Sequence, residues 1–209
     1  MNKKNLSNTI NELHRLYKYI NDNQFAGKLP EVIITIQSKG KTNALGWFSV
    51  GKVWEHGEER KHEINISAES INRGYFEVAH TLWHEMIHLY CAENDIKDVS
   101  RGNTYHNKRF KQASEQHGFY YPEDAYSDKY GWSFSKLTNE SIQFLERHTI
   151  DGDIFAINRL NTATNNAGEK KKKSNSIKWV CECGNIVRST KEDLRIICAD
   201  CETMFERED

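Results

Sequence analysis

His84-Glu85-Met86-Ile87-His88 lies inside a stretch, about Asn72 to Glu93, whose apolar residues recur at helical spacing. Residues four apart on a helix share one face, so the two imidazoles can hold one metal ion with Glu85 beside them. Two imidazoles and one further protein ligand leave a coordination position for water. Zinc lowers the pKa of that water toward neutrality, and a neighbouring carboxylate can take its proton. The plainer reading of the same five residues is a buried helix carrying two hydrogen-bonded histidines.

The third ligand decides between subclasses. A metzincin pattern would need Gly at 91 and His at 94, whereas this chain has Cys91 and Asn94. Two candidates remain open on spacing alone: Glu115 on the following helix, and His106 just before that helix. His80, one turn before His84, reads as a packing or supporting residue, and Cys91 as a small buried thiol.

Around this helix the chain reads as a small α+β domain. Leu6, Ile10, Leu13, Tyr17 and Ile20 predict an amphipathic helix to about Asn21. Val32 to Ile36 is β-branched and short, and Ala44 to Val53 and His62 to Ser67 read as two further strands. A helix is expected from about Asn107 to His117, stopped by Gly118, and a short one from Asn139 to His148. Phe119 to Ser135, rich in Tyr, Trp and Phe around Pro122 and Gly131, reads as an ordered loop without a legible fold. Trp47, Trp54, Trp83 and Trp132 are expected in the core. From Asn161 to Ser176 large apolar residues nearly vanish and Lys170 to Lys173 form a run, as in a linker.

Beyond the linker, Cys181-x-Cys183 and Cys198-x2-Cys201 form two knuckle-like pairs around short strand-like segments. About thirty residues cannot hold themselves together by apolar burial, so a zinc ribbon with a closed four-thiolate site is the reading. No apolar stretch reaches membrane-spanning length, and the cysteine usage suits a reducing, cytoplasmic setting. With 29 basic and 30 acidic side chains the net charge is -1, which excludes a protein-wide field for nucleic acid. The ribbon itself is acid-rich, so only Arg188, Lys191, Arg195 and the lysine run offer phosphate contacts.

Ala44-Leu45-Gly46-Trp47-Phe48-Ser49, Trp54, His62-Glu63-Ile64-Asn65-Ile66-Ser67, Thr81 to His88, and His106-x3-Phe110 together resemble the SprT-like metalloprotease family, in order and in spacing. The resemblance covers roughly residues 5 to 120 and extends to the cysteine module. It implies a zincin-like fold, a catalytic zinc on His84, His88 and His106, and Glu85 as general base. It also implies substrates that are proteins bound or crosslinked to DNA. Tyr105 stands where the family usually has Gly. Asn65 and Ile66 would lie on the edge strand that pairs with extended substrate.

The expectation is therefore an α+β, zincin-like protease domain over residues 1–155, a linker over 156–176 and a zinc ribbon over 177–209. One zinc is catalytic and one, on Cys181, Cys183, Cys198 and Cys201, is structural. The expected partners are a protein substrate and DNA, the latter bound weakly and salt-sensitively, with no membrane; the chain is expected to be a monomer. The rival is a catalytically silent adaptor that uses the ribbon to bind nucleic acid or a protein.

Overall fold

The computed structural model describes residues 5–38, 44–150, 152–157, 159–160 and 177–208. The chain divides into two compact units, Met1–Leu160 and Asn161–Asp209. The lysine run at 170 to 173 falls outside the described residues.

In the first unit, helix α1 (Leu6–Gln24) is capped by the Asn5 side chain, which accepts from the Asn8 amide, and it buries Leu13, Leu16, Tyr17 and Ile20. It runs one turn past the expected end because polar Asn21 is itself buried. Its amide group bonds both the N–H and the C=O of Leu29, fixing the turn into the sheet.

Strand β1 (Val32–Gln37) pairs in parallel with the long strand β4 (Glu59–Ser67), Ile34 opposite Ile64. On the other side of β4 lies β2 (Gly46–Phe48), antiparallel, while β3 (Trp54–His56) pairs with the start of β4. The segment expected as one strand from 44 to 53 is thus the short β2, followed by a turn into β3. The order β1-β4-β2 makes β4 central. The expectation that Asn65 and Ile66 lie on an edge strand is accordingly corrected: the edges are β1 and β2, and the edge beside α2 is β2.

Alternation along β4 sends Ile64 and Ile66, both fully buried, into the core, and Glu63 and Asn65 to the opposite face. There Glu63 accepts from Thr35 Oγ1, Gln37 Nε2 and the Trp54 indole at 2.7, 3.0 and 2.8 Å. This corrects the core assignment of Trp54, which is 43% exposed. Trp83 is fully buried, and Trp47 and Trp132 are half-buried.

A 3-10 turn (Ile71–Arg73) and Gly74 lead into α2 (Tyr75–Glu93), whose Val78, Leu82, Trp83, Met86 and Leu89 fill the core against α1 and the sheet. After it, β5 (Val99–Ser100) pairs with β6 (Tyr105–His106), and α3 (Lys108–Gln116) starts at Asn107. The aromatic stretch is closed by a ladder of β7 (Phe119–Tyr120) with β8 (Lys136–Leu137), followed by α4 (Asn139–Glu146). Among the described residues no helix is long and apolar enough to cross a membrane.

The second unit is a three-stranded antiparallel sheet with β9 (Ile177–Val180) between β10 (Ile186–Ser189) and β11 (Glu206–Glu208). Among the described residues its buried hydrophobic ones are Trp179, Cys181, Cys198 and Phe205, with Ile177, Val187, Leu194 and Ile196 half-buried against them. Two large buried side chains and a few half-buried ones remove too little apolar surface from water to offset the ordering of the backbone. A cross-link through the cysteines is what a unit this small requires.

Candidate metal centre

On α2 the residues His84 and His88 stand one turn apart, with rings 5.1 Å between centroids. Opposite them, β6 delivers His106. Its Nε2 lies 3.2 Å from His84 Nε2 and 3.0 Å from His88 Nε2. Three lone-pair nitrogens at that separation match a tetrahedral ion with bonds of about 2.0–2.1 Å, which places its ligand atoms about 3.3 Å apart. Phe110, fully buried on the first turn of α3, closes the back of the cluster and touches all three rings, with centroids 4.5 to 4.8 Å away.

The far ring nitrogens are held too. His88 Nδ1 is 2.5 Å from Asp98 Oδ2, so Nδ1–H donates to the carboxylate and the Nε2 lone pair is left for a metal. Ser133 Oγ is 2.6 Å from His106 Nδ1 and donates its own proton to Tyr130 O at 2.9 Å, so it must accept from His106. The backbone repeats the attachment. His106 N donates to Tyr130 O and Trp132 N donates to His106 O, at 3.0 and 2.9 Å.

This contact depends on Gly131. Its φ is +65°, and a Cβ there would lie 2.0 Å from His106 O. The glycine that lets the chain pass His106 is therefore remote in sequence, and Tyr105 sits in β6 opposite Ser100. Asp98, Gly131 and Ser133 were not found from the sequence. No motif marks Asp98, and the other two lie in the aromatic stretch whose path spacing could not predict.

Burial, followed by the neighbouring His88, holds the His84 imidazole well below its ordinary pKa and His106 at about 4. These two rings are thus ready to bind metal without first losing a proton. Glu85 is buried, and burial lifts its carboxyl to about 7. Its position is set by β2: a Cβ on Gly46 would be 2.8 Å from Asn65 O, 2.9 Å from Thr81 Cγ2 and 3.4 Å from Glu85 Oε1. Only glycine lets the edge strand lie this close to the helix.

The other candidates stand apart. Glu115 is exposed on α3 and pairs with Lys111 at 3.6 Å. His80 Nε2 bonds Ser135 O at 2.9 Å, with its ring edge-on to Phe119. Cys91 is fully buried, and burial pushes its thiol up to about 12.

In the second unit the sulfurs of Cys181, Cys183, Cys198 and Cys201 all lie within 4.8 Å of one another. Cys181 and Cys183 are 3.2 Å apart, and Cys183 and Cys198 3.7 Å, against about 3.8 Å for a tetrahedral Zn–S shell. Asn185 Nδ2 donates to the sulfurs of Cys183 and Cys198, and the Thr203 hydroxyl draws the Cys201 thiol down to about 6. The short C-x-C knuckle closes because Gly184, at φ +87°, returns its N–H to Cys181 O. Two groups of donors suited to a metal are therefore built into the chain, one of imidazoles and one of thiols.

No curated protein and no solved structure matches the chain. A family model described as SprT-like matches residues 13–128, more than half of its length. That span contains His84, Glu85 and His88 on α2, Asp98 and His106. The chain belongs to the SprT-like family.

Proposed function

We propose that this chain is a zinc-dependent endopeptidase with a zincin-like catalytic domain and a structural zinc ribbon. The observation that carries the reading is the convergence of the His84, His88 and His106 Nε2 atoms beside the buried carboxylate of Glu85. A purely structural site gains nothing from a carboxylate at that place, which argues against a silent adaptor. When bound, zinc supplies Lewis acidity, lowering the pKa of water and polarising a carbonyl.

The rest is the work of the chain. Glu85 takes a proton from the attacking water and passes it to the departing amine. Asp98 and Ser133 hold the rings of His88 and His106 in the tautomer that leaves Nε2 free. The edge strand holds the substrate. Ser49 N bonds Glu63 O and Ser67 N bonds Leu45 O, so by alternation the N–H and C=O of Gly46 and Phe48 face away from β4. An extended peptide can pair with them and so pass directly by Glu85. The test is an unfolded protein substrate incubated with zinc-loaded chain, Glu85→Gln and chelated chain. New N-termini found only with the first support the reading; none, or equal numbers with Glu85→Gln, sink it.

A second observation supports substrates held on DNA. Arg101 stacks on Tyr105, Lys111 on Trp132 and Lys129 on Tyr130, with ring distances of 4.4, 4.1 and 4.8 Å, and Tyr126 and Phe134 are exposed nearby in sequence. Aromatic faces alternating with cations suit single-stranded nucleic acid, each stacked base being worth about 1–3 kcal/mol. Cleavage of one substrate with and without single-stranded DNA, at low and near-physiological salt, tests this. Identical rates throughout, unchanged by Trp132→Ala, would mean a protease independent of DNA.

A further inference from the structure

The cleft face of α2 does not end at the histidines. Thr81 is three residues before His84 and four before Glu85, so it lies on the same face, one turn toward the helix N-terminus. Its hydroxyl donates to Glu77 O at 3.0 Å and accepts from Arg73 Nη2 at 2.8 Å. Arg73 Nε donates to Ser70 O. No carboxylate forms an ion pair with this half-buried guanidinium among the described residues, and its Nη1 group meets no protein acceptor there. Glu77, exposed on the first turn of α2, acts on it only through its field. A guanidinium held by two neutral acceptors, with its outer edge unclaimed, is a fork for a planar carboxylate.

Its place relative to the edge strand follows from contacts at both ends of β2. Gly46 lies against Thr81 and Glu85. Three residues on, Ser49 O meets His62 Nδ1, and the same ring reaches Glu93 through Nε2. β2 and α2 therefore run side by side in the same sense, and a peptide added to β2 travels along α2. With a helical rise of about 1.5 Å per residue, Thr81 stands roughly 7–8 Å from the level midway between His84 and His88. At about 3.3 Å per residue of extended chain, that is two to three substrate residues.

We propose that Arg73 is a specificity residue, which selects substrates carrying a carboxylate two to three residues from the cleaved bond, toward the Gly46 end of β2. The inference rests on the protease reading. The carboxylate can come from an Asp or Glu side chain or from a substrate C-terminus.

The experiment uses the full chain with zinc and a set of internally quenched peptides sharing one cleavage site. Each carries Glu, Gln or Lys at one position two or three residues from the cleaved bond, on either side. A parallel pair ends at that distance as free acid or amide. At one position the Glu peptide is expected to exceed its Gln counterpart by about 10–100-fold in kcat/KM, chiefly through KM, the range of a charge-assisted hydrogen bond. If the terminal carboxylate is the ligand, the free acid exceeds the amide instead. Arg73→Gln should bring the ratio to about one, and Arg73→Glu should turn the preference toward Lys.

Equal cleavage of all members by the wild type overturns the proposal, as does an unchanged preference in Arg73→Gln. Because Arg73 also bonds Ser70 and Thr81, Arg73→Gln is checked for folding. Should it unfold, Arg73→Lys must still prefer Glu, by a smaller factor, and a ratio equal to the wild type's removes the fork. Peptide affinity for zinc-loaded Glu85→Gln separates the two readings. Carboxylate-dependent affinity without turnover by the wild type would fell the protease reading and keep the Arg73 site. Turnover by the wild type with carboxylate-blind affinity would do the reverse.

Discussion

His88 Nδ1 and Asp98 Oδ2 lie 2.5 Å apart, so the second metal-facing imidazole is oriented by a carboxylate ten residues further along the chain. Loss of such a partner typically costs 10–100-fold in metal affinity. Asp98→Ala should weaken zinc at the imidazole site by about that factor and leave the thiolate site as tight as before. Titration with a competing chelator should resolve the two sites. With cobalt as the probe, a thiolate charge-transfer band marks the cysteine site. Equal affinity of Asp98→Ala and the wild type would refute the role.

Glu85→Gln should keep zinc, because the amide is not a ligand, and should lower kcat by roughly 10²–10⁴-fold. Elemental analysis and a cleavage assay on the same preparation check both halves. Retained turnover would show that another group moves the proton.

Gly131→Ala introduces a methyl group into His106 O at a backbone conformation that costs a side chain roughly 1–3 kcal/mol. The expected result is lower thermal stability together with loss of zinc from the imidazole site, since the same turn aims His106. Ser133→Ala should leave the fold intact and lower metal affinity only. A Gly131→Ala protein with normal zinc affinity would contradict the coupling.

Acid should destabilise the metal-free chain. Burial holds His106 at about 4 and His84 well below its ordinary value, whereas both titrate near 6.5 when unfolded. Between these values the unfolded chain binds more protons at the two imidazoles, so their contribution is full above about 6.5 and falls as pH drops toward about 4; Glu85, lifted to about 7, works in the opposite sense over the same range but is one group against two. Melting of chelated protein from about pH 7.5 to 4.5 should show a falling Tm. His106→Gln should remove part of that fall. A Tm rising with acid would reverse the sign argued here.

The helix that carries the two histidines was legible because burial of one face imposes a period, and Leu82, Met86 and Leu89 keep it. His106 was not singled out by spacing. Its selection over Glu115 came from resemblance, and in the structure it depends on hydrogen bonds to residues 130 to 133. Contacts between segments so far apart leave no local pattern. Trp54 was misplaced because an indole has an apolar body and a polar tip, and here the tip is claimed by Glu63 on the outer face of the sheet. The start of β4 was missed because Glu59, Arg60 and Lys61 pair with the exposed β3 instead of the core.

The attachment of His106 to the turn at Gly131 sets an order of events during synthesis. A nascent chain that has emerged as far as α3 already carries all three imidazoles, but His106 is held only by β5 and Phe110. The hydrogen bonds that fix its ring and its backbone form only when residues 130 to 133 have been translated and have folded back over β6. Until then the chain holds the three imidazoles without the contacts that fix the third of them.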